Sequence, residues 1–199
     1  MEITTEMVKN LRQVTNAGIL DCKKALQEAQ GDLDRAMEIL RKRGASIAAK
    51  KADREAKQGL VEAYVHAGGK VAALVEVNCE TDFVARTDQF KELAHDLAMQ
   101  VVATRPSYLR PEDVPAEVVE SELRKYRAEF EGAAKPAHVI EQILQNKLAR
   151  FYEEACLMEQ PFIKNGDMKI RDLVTAKIAA VGENIVVRRF VRYELGEQQ

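Results

Sequence analysis

The sequence contains few residues of the kinds that build redox or metal sites. Its 199 residues include three cysteines and three histidines. Cys22, Cys79 and Cys156 lie far apart and have no C-x-x-C spacing, which indicates reduced thiols of a cytoplasmic protein rather than a disulfide framework. The histidines are equally scattered, and none stands at ligand spacing from a cysteine. We therefore expect neither a metal site nor a bound cofactor.

Long apolar runs and an excess of positive charge are also missing. No window approaches eighteen uninterrupted apolar residues, so the sequence predicts no membrane span. The opening residues lack a basic segment followed by an apolar run, so we expect no secretory signal and a cytoplasmic location. A net charge of −2 excludes a globally basic nucleic-acid binder. The hydrophobic content of 46% and charged content of 31% are typical of a folded globular protein.

The motifs of common catalytic sites are absent as well. There is no G-x-x-x-x-G-K-[ST] loop, no G-x-G-x-x-G after a strand and no G-x-S-x-G elbow. Cys79 and His66 lie on adjacent predicted strands and form the one candidate thiol–imidazole pair. The alternative is a packed cysteine and a surface histidine, and we favour it. The sequence therefore predicts a protein that is not an enzyme.

The first 44 residues carry three short amphipathic patterns. Thr5 is a cap for the first helix, and residues 15–18 are a turn into the second. Asp32 is a cap for the third helix, and Gly44 ends it. The pattern predicts a compact three-helix module over residues 1–45.

Residues 46–58 are rich in alanine and charge and predict a basic helical linker. Together with Arg188, Arg189 and Arg192 of the last predicted strand, they leave an alternative function open. This alternative is an RNA-binding accessory protein that contacts phosphates. No aromatic residues interleave with the basic ones for base stacking, so a solvated linker is favoured and no direct nucleic-acid binding is expected.

Residues 59–199 predict an α+β core domain. Leu60–His66 and the strand from Val71 form a hairpin, and Asn184–Leu195 is the third strand of a small antiparallel sheet. A stripe with a 3.6-residue period predicts a helix from about Thr87 that packs against this sheet.

Two long helical patterns follow, at about 115–131 and 137–159. They are separated by Gly132 and Pro136, which predicts an antiparallel helical hairpin over about 115–159. Asn165–Asp167 predicts a turn, and a short helix is expected from about Ile170 to Val181. The predicted fold is therefore an α+β core with a small helical module in front of it.

A polar corner follows the second strand directly. Thr81 and Asp82 mark the end of the strand, and Phe83 and Val84 come next. A corner that presents a charge and a large aromatic side chain can insert into a partner protein. Apolar residues beside a strand usually pack into the core, so the local pattern favours burial of Phe83 and Val84.

Three long runs of the sequence resemble the signatures of the bacterial elongation factor Ts family. They are residues 11–26 (LRQVTNAGILDCKKAL), 77–86 (VNCETDFVAR) and 182–190 (GENIVVRRF). The runs occur in the order of the family signatures and span nearly the whole chain. The chain is similar to a short, single-core member of the family.

The resemblance implies a guanine nucleotide exchange factor in translation elongation. Such a factor binds the GTPase elongation factor Tu in its GDP-bound and nucleotide-free forms, promotes GDP release and stays bound until GTP displaces it. Thr81, Asp82, Phe83 and Val84 match the family segment that disturbs the magnesium ion in the partner's nucleotide site. By this resemblance, Phe83 is an exposed wedge with an acid beside it.

The resemblance also implies that residues 1–45 are a ubiquitin-associated-type module that docks on elongation factor Tu. Arg12, Ile19 and Leu20 match its contact turn, where the family commonly has methionines at the last two positions. Isoleucine and leucine have similar volumes to methionine, so an apolar contact is expected to survive.

Short members of the family carry one core, so the resemblance implies that two chains associate. We expect a homodimer and a two-plus-two complex with elongation factor Tu. Short members can have a cysteine in the last strand that links the dimer, and Val191 occupies that place here. A noncovalent dimer is therefore expected.

Overall fold

The computed structural model describes residues 3–15, 17–130 and 136–197. The chain divides into two compact units, which are Met1–Met99 with Arg171–Gln199, and Gln100–Ile170. The first unit contains the N-terminal helices and a three-stranded sheet, and the second contains a helical hairpin. The finer division at 1–45, 46–58 and 59–199 stays a prediction.

Helices and strands occur in separate runs along the described residues, as in the predicted α+β class. In chain order they are α1 (Thr5–Thr15), α2 (Ile19–Glu28), α3 (Leu33–Lys51), β1 (Gln58–Val65), β2 (Val71–Cys79), α4 (Asp82–Ala85), α5 (Asp88–Thr104), α6 (Ala116–Ala128), α7 (Ala137–Ala155), β3 (Pro161–Phe162), β4 (Asn165–Lys169), α8 (Ile170–Val181) and β5 (Ile185–Glu194).

Helices α1 to α3 pack around a small apolar cluster of their own. Its buried members are Val8, Leu11, Cys22, Ala25, Leu26, Ala29 and Ala36. Asp32 caps α3 as predicted, because its side chain accepts a hydrogen bond from the N–H of Arg35 at 3.0 Å. The cap of α1 is Thr4 rather than Thr5, since the Thr4 hydroxyl accepts from the N–H of Met7 at 3.2 Å. Asn16 of the predicted turn lies outside the described residues.

The prediction that Gly44 ends the third helix was wrong. Helix α3 continues through Gly44 to Lys51 and includes the first part of the predicted linker. Gly44 is buried, and a Cβ atom built there would lie 3.8 Å from side-chain carbons of Thr175 and Ala179 on α8. The absence of a side chain therefore allows α3 to approach α8 closely.

The predicted three-stranded antiparallel sheet is confirmed, with β2 at its centre in the order β1-β2-β5. The register pairs Leu60 with Val77, and Leu74 with Val191. It shifts between Glu76 and Val77, so β5 contains a bulge. One face is buried and apolar, and its members include Ala73, Val75, Val77, Cys79, Ile185 and Val187.

Helix α5 contacts both the sheet and α8. His95 of α5 lies 2.9 Å from a carboxylate oxygen of Glu62 on β1, and Lys177 of α8 lies 3.6 Å from Glu92 of α5. The apolar stripe of α5 is fully buried from Phe90 onwards, as its 3.6-residue period predicts.

The second unit contains helices α6 and α7 and the strands β3 and β4. Lys147 of α7 lies over the Tyr126 ring of α6, 5.1 Å from its centroid, as expected for facing helices. The predicted break at Gly132 lies outside the described residues, and α7 ends at Ala155 rather than near residue 159.

The β3–β4 hairpin was not predicted. Asn165–Asp167, predicted as a turn, belongs to β4. The buried Gln100 side chain holds the hairpin, because it donates to the Pro161 carbonyl at 3.1 Å and accepts from the Ile163 N–H at 2.9 Å.

Gly59 allows β1 to approach the backbone of β2 closely. Its φ is +142°, and a Cβ atom there would lie 2.1 Å from the carbonyl oxygen of Val77. We expect Gly59→Ala to lower the free energy of unfolding, measured in urea, for two reasons. Backbone strain costs about 1–3 kcal/mol, and the clash with Val77 adds to that loss.

The matched control is Gly68→Ala, since Gly68 has a φ of +92° and no atom within 4 Å of its built Cβ. This variant has the backbone strain without the clash. Equal losses of stability in the two variants would contradict the close contact at Val77.

Candidate functional site

Phe83 lies on a single helical turn that follows the central strand. Helix α4 begins after Thr81, whose hydroxyl accepts from the N–H of Val84 at 3.4 Å. Ala85 is buried and Val84 is half-buried, so they anchor the turn. Phe83 points away from them and is 81% exposed. The burial of Phe83 favoured by the local pattern was therefore wrong, whereas the half-buried Val84 agrees with it in part.

Asp82 stands beside Phe83 at the start of α4. It is exposed, and its carboxylate lies 2.9 Å from the guanidinium of Arg86 one turn later. An exposed pair of this kind contributes about 0.5 kcal/mol to a helix, so it adds little stability. The structure thus presents a carboxylate and an aromatic ring together at the surface, and both are accessible.

Thr81 is fixed by a residue that is distant in the sequence. Its hydroxyl donates to one carboxylate oxygen of Glu183 at 2.7 Å, and its N–H donates to the other at 3.0 Å. The carbonyl of Thr81 accepts a third bond, from the Cys79 thiol at 3.1 Å. The start of α4 is therefore held on both sides of its cap residue.

Glu183 belongs to the junction loop, which we define as residues 182–184 between α8 and β5. In this loop the N–H of Asn184 donates to Glu80 at 2.6 Å. That bond is the main reason why the pKa of Glu80 is lowered, and the nearby Arg54 lowers it further. The loop therefore bonds to both Glu80 and Thr81 at the end of β2.

The junction loop also bonds to the chain that follows α3. The Asn184 amide donates to the carbonyl oxygens of Ala52 at 3.3 Å and Arg54 at 2.9 Å. The Lys51 ammonium donates to the carbonyl of Gly182. One loop thus connects the last turn of α3 with the segment that carries Phe83.

Cys79 and His66 do not form a thiol–imidazole pair. Cys79 is buried beneath Thr81, and burial together with the nearby Glu183 carboxylate raises the pKa of its thiol to about 11. His66 is instead within hydrogen-bond distance of the Tyr64 hydroxyl, at 3.2 Å. Among the described residues, no group of three or more acidic, histidine or cysteine side chains is placed to hold a metal ion.

The N-terminal helices present a second apolar surface. Ile19 and Leu20 occupy the first turn of α2 and are 55% and 72% exposed. Arg12 on α1 is also exposed. The three residues predicted to form a contact turn are therefore all accessible to a partner.

The sheet presents a third surface, which we call the outer sheet face. Its apolar members are Val61, Ala63, Val65, Ala72, Leu74, Val191 and Tyr193, which alternate with buried or half-buried residues along β1, β2 and β5. The solvent face of an antiparallel sheet is normally polar. An exposed apolar patch of this kind indicates an interaction surface.

Two of the three arginines of β5 are engaged in ion pairs. Arg189 lies 2.7 Å from Glu76, and Arg192 lies 2.7 Å from Glu194 and 3.2 Å from Glu197. A phosphate clamp would need these guanidinium groups to leave carboxylates of the same chain. The geometry therefore disfavours the RNA-binding alternative.

Comparison with known proteins decides the family. The model of the family described as Elongation factor TS matches residues 2–197. The chain belongs to the elongation factor Ts family. A protein named Elongation factor Ts from Carboxydothermus hydrogenoformans is 57% identical over 195 residues, which are 98% of this chain and 90% of the relative. A second protein named Elongation factor Ts, from Thermotoga neapolitana, is 55% identical over 198 residues, which are 100% of this chain and 100% of the relative.

Family membership makes the chain an elongation factor of protein biosynthesis. The helices of the described residues include none that is long and apolar enough to cross a membrane. The sequence analysis named the elongation factor Ts segment at Thr81–Val84 but missed Glu183 and Asn184, which hold it. The available signal was the third run that resembles the family, in which these are the second and third residues.

A thiol reagent tests directly whether Cys79 is a packed cysteine, as favoured above, rather than a reactive one. All three are buried, and burial raises the pKa of each, for Cys79 and Cys156 to about 11. At pH 8 such a thiol is ionised to about one part in a thousand, and the thiolate is the reactive form.

We therefore expect a chromogenic disulfide reagent to react slowly with the native protein and to count three thiols rapidly after denaturation. A native thiol that reacts as fast as free cysteine would contradict this and would restore the enzyme hypothesis.

Proposed function

We propose that this chain is the nucleotide exchange factor of elongation factor Tu. It binds the GDP-bound and nucleotide-free forms of that GTPase, accelerates GDP release and is displaced by GTP. The observation that carries the proposal is the exposed Phe83 on an anchored helical turn. A large aromatic side chain that is left in water without a role in the fold is suited to a partner's groove.

The proposed mechanism is a displacement of the groups that hold the nucleotide. Phe83 inserts between elements of the partner and shifts the backbone that binds the phosphates, while Asp82 disturbs the water shell of the magnesium ion. Mg²⁺ requires near-ideal octahedral geometry, so a small displacement weakens its binding strongly. The chain forms and breaks no covalent bond in this process and is not an enzyme.

Linkage explains how the exchange is completed. If the factor weakens GDP binding by some ratio, GDP weakens the binding of the factor by the same ratio. GTP that enters the empty site then displaces the factor in turn. The factor therefore acts without an energy source of its own, in the cytoplasm where the two nucleotides are available.

The N-terminal surface supplies a second contact with the same partner. Ile19 and Leu20 offer exposed apolar area, and Arg12 offers a guanidinium that can bind a carboxylate in a bidentate manner. We assign these residues to docking, since they lie on the helical module rather than on the turn with Phe83. Docking at this surface holds Phe83 near the nucleotide site.

The outer sheet face supports a noncovalent homodimer. Two apolar sheet faces can pack against each other at about 10 Å, and a twofold axis presents the same patch on both sides. Glu76 and Arg189 at this face neutralise each other, so two copies meet without repulsion of like charges. We propose that the occupant is a second copy of the chain, which gives a two-plus-two complex with elongation factor Tu.

Phe83→Ala tests the wedge. We expect it to slow the release of labelled GDP from elongation factor Tu by about tenfold to a hundredfold in stopped flow, because a central aromatic contact is removed. The exposed Phe83 adds little to the fold, so the melting temperature should stay within a few degrees.

Ile163→Ala is the matched control, since Ile163 is an exposed apolar residue whose side chain we assign to no contact with the partner. With this variant, elongation factor Tu should release GDP at the same rate as with the unmodified chain. Equal rates for Phe83→Ala and the unmodified chain would reject the wedge mechanism.

Leu74→Glu tests the dimer. Leu74 is 44% exposed near the middle of the outer sheet face, and two carboxylates across a twofold interface would repel. We expect light scattering at micromolar concentration to give twice the chain mass of 22.3 kDa for the unmodified protein, and the chain mass for the variant.

Ile163→Glu places the same charge on an exposed apolar residue outside this face and should leave the dimer intact. A single 22.3 kDa species for the unmodified protein would end the dimer proposal.

A further inference from the structure

The contact between Glu183 and Thr81 joins residues that are 102 positions apart. We propose that Glu183 is a positioning residue for nucleotide exchange, which acts through Thr81 to hold Phe83 in its exposed orientation. The inference rests on the proposed function, in which Phe83 is the residue that enters the partner.

The hydrogen bonds of Thr81 have a fixed direction. A threonine hydroxyl has one proton to donate and two lone pairs to accept with. Its proton goes to the Glu183 carboxylate at 2.7 Å, which leaves a lone pair for the N–H of Val84 at 3.4 Å. Glu183 therefore sets the hydroxyl in the orientation that caps α4.

The backbone of Thr81 is held by the same carboxylate. Its N–H donates to the second oxygen of Glu183 at 3.0 Å. Hydrogen bonds to an ionised acceptor are roughly twice as strong as neutral ones, and two of them fix an angle as well as a distance. The residue directly before α4 is thus fixed in both backbone and side chain.

Helix α4 depends on this support more than a longer helix would. It has four residues, which is too few for a helix that is stable by itself. Phe83 is 81% exposed, so the backbone of α4 rather than packing decides where its ring points. A change at the cap therefore moves the ring directly.

Glu183 is itself well placed to act as a support. Gly182 ends α8 with a φ of +76°, and its N–H donates to the carbonyl of Ile178 at 2.9 Å. On its other side, Asn184 is bonded through both backbone and side chain. The carboxylate is thus presented from a loop that is anchored before and after it.

Glu183→Gln is the decisive variant, because the amide keeps the shape and loses one acceptor. We expect the maximal rate of GDP release, measured at a saturating concentration of the variant, to fall about tenfold. This is the effect of losing one hydrogen bond to a charged group. The half-saturating concentration should change less than twofold, since Ile19 and Leu20 still dock. Glu120→Gln, at an exposed pair with Arg124, is the control and should have no effect.

Three further variants separate positioning from general stability. Thr81→Ser keeps the hydroxyl and should lose less of the rate than Thr81→Val, which should lose as much as Glu183→Gln. In the Phe83→Ala background, Glu183→Gln should change the rate less than twofold, because the residue it positions is gone. The same tenfold loss in both backgrounds would overturn the proposal.

A second readout does not depend on the partner. The sequence contains no tryptophan, so Phe83→Trp introduces a single fluorescent indole at the site. We expect Glu183→Gln to add a fast, large-amplitude component to its anisotropy decay. Unchanged anisotropy would overturn the positioning role. Failure of the unmodified chain to accelerate GDP release would instead reject the proposed function, and the anisotropy would still decide whether Glu183 holds residue 83.

Discussion

Strand β2 exchanges backbone hydrogen bonds with β1 along one edge and with β5 along the other. This double pairing fixes its register, because a shift by one residue would turn the buried face of Val75 and Val77 towards water. The buried and exposed faces of the sheet follow from that register. So does the point at which the strand ends, and only Glu80 and Thr81 separate that point from the start of α4. The position of Phe83 therefore depends on β2, the strand that is paired along both of its edges.

Beyond Cys79 the backbone hydrogen bonds between strands end, and hydrogen bonds that involve side chains hold the chain in place instead. Glu80 and Thr81 bond to Asn184 and Glu183 in place of a further pair of strands. These polar contacts compensate for apolar burial that the segment gives up. Leaving a phenylalanine in water instead of in the core forgoes about 2–3 kcal/mol. Such a loss at an exposed site is typical of residues kept for binding rather than for stability.

Much of this architecture could be predicted from the sequence, because it rests on local patterns. Branched residues in β2 and β5 predicted the sheet, and Asp32 predicted the start of α3. The failures have tertiary causes. Gly44 has the residue type of a helix end, but its missing side chain serves packing against α8. The exposure of Phe83 is set by the cap and by Ala85, and the proposed role of Glu183 depends on a contact across 102 residues. The periodicity and capping patterns of the sequence do not contain that information, although the third family run includes Glu183.

The continuity of α3 through Gly44 has a consequence for how the two proposed partner contacts combine. Its 19 residues span roughly 28 Å as one helix, and Lys51 at its end bonds to the junction loop. A flexible linker would let the contact turn around Leu20 and the ring of Phe83 sample many separations. A stiff connection confines them to few. In the proposed complex, binding at one surface would therefore raise the effective concentration of the other, and the helix would add to avidity without contacting the partner.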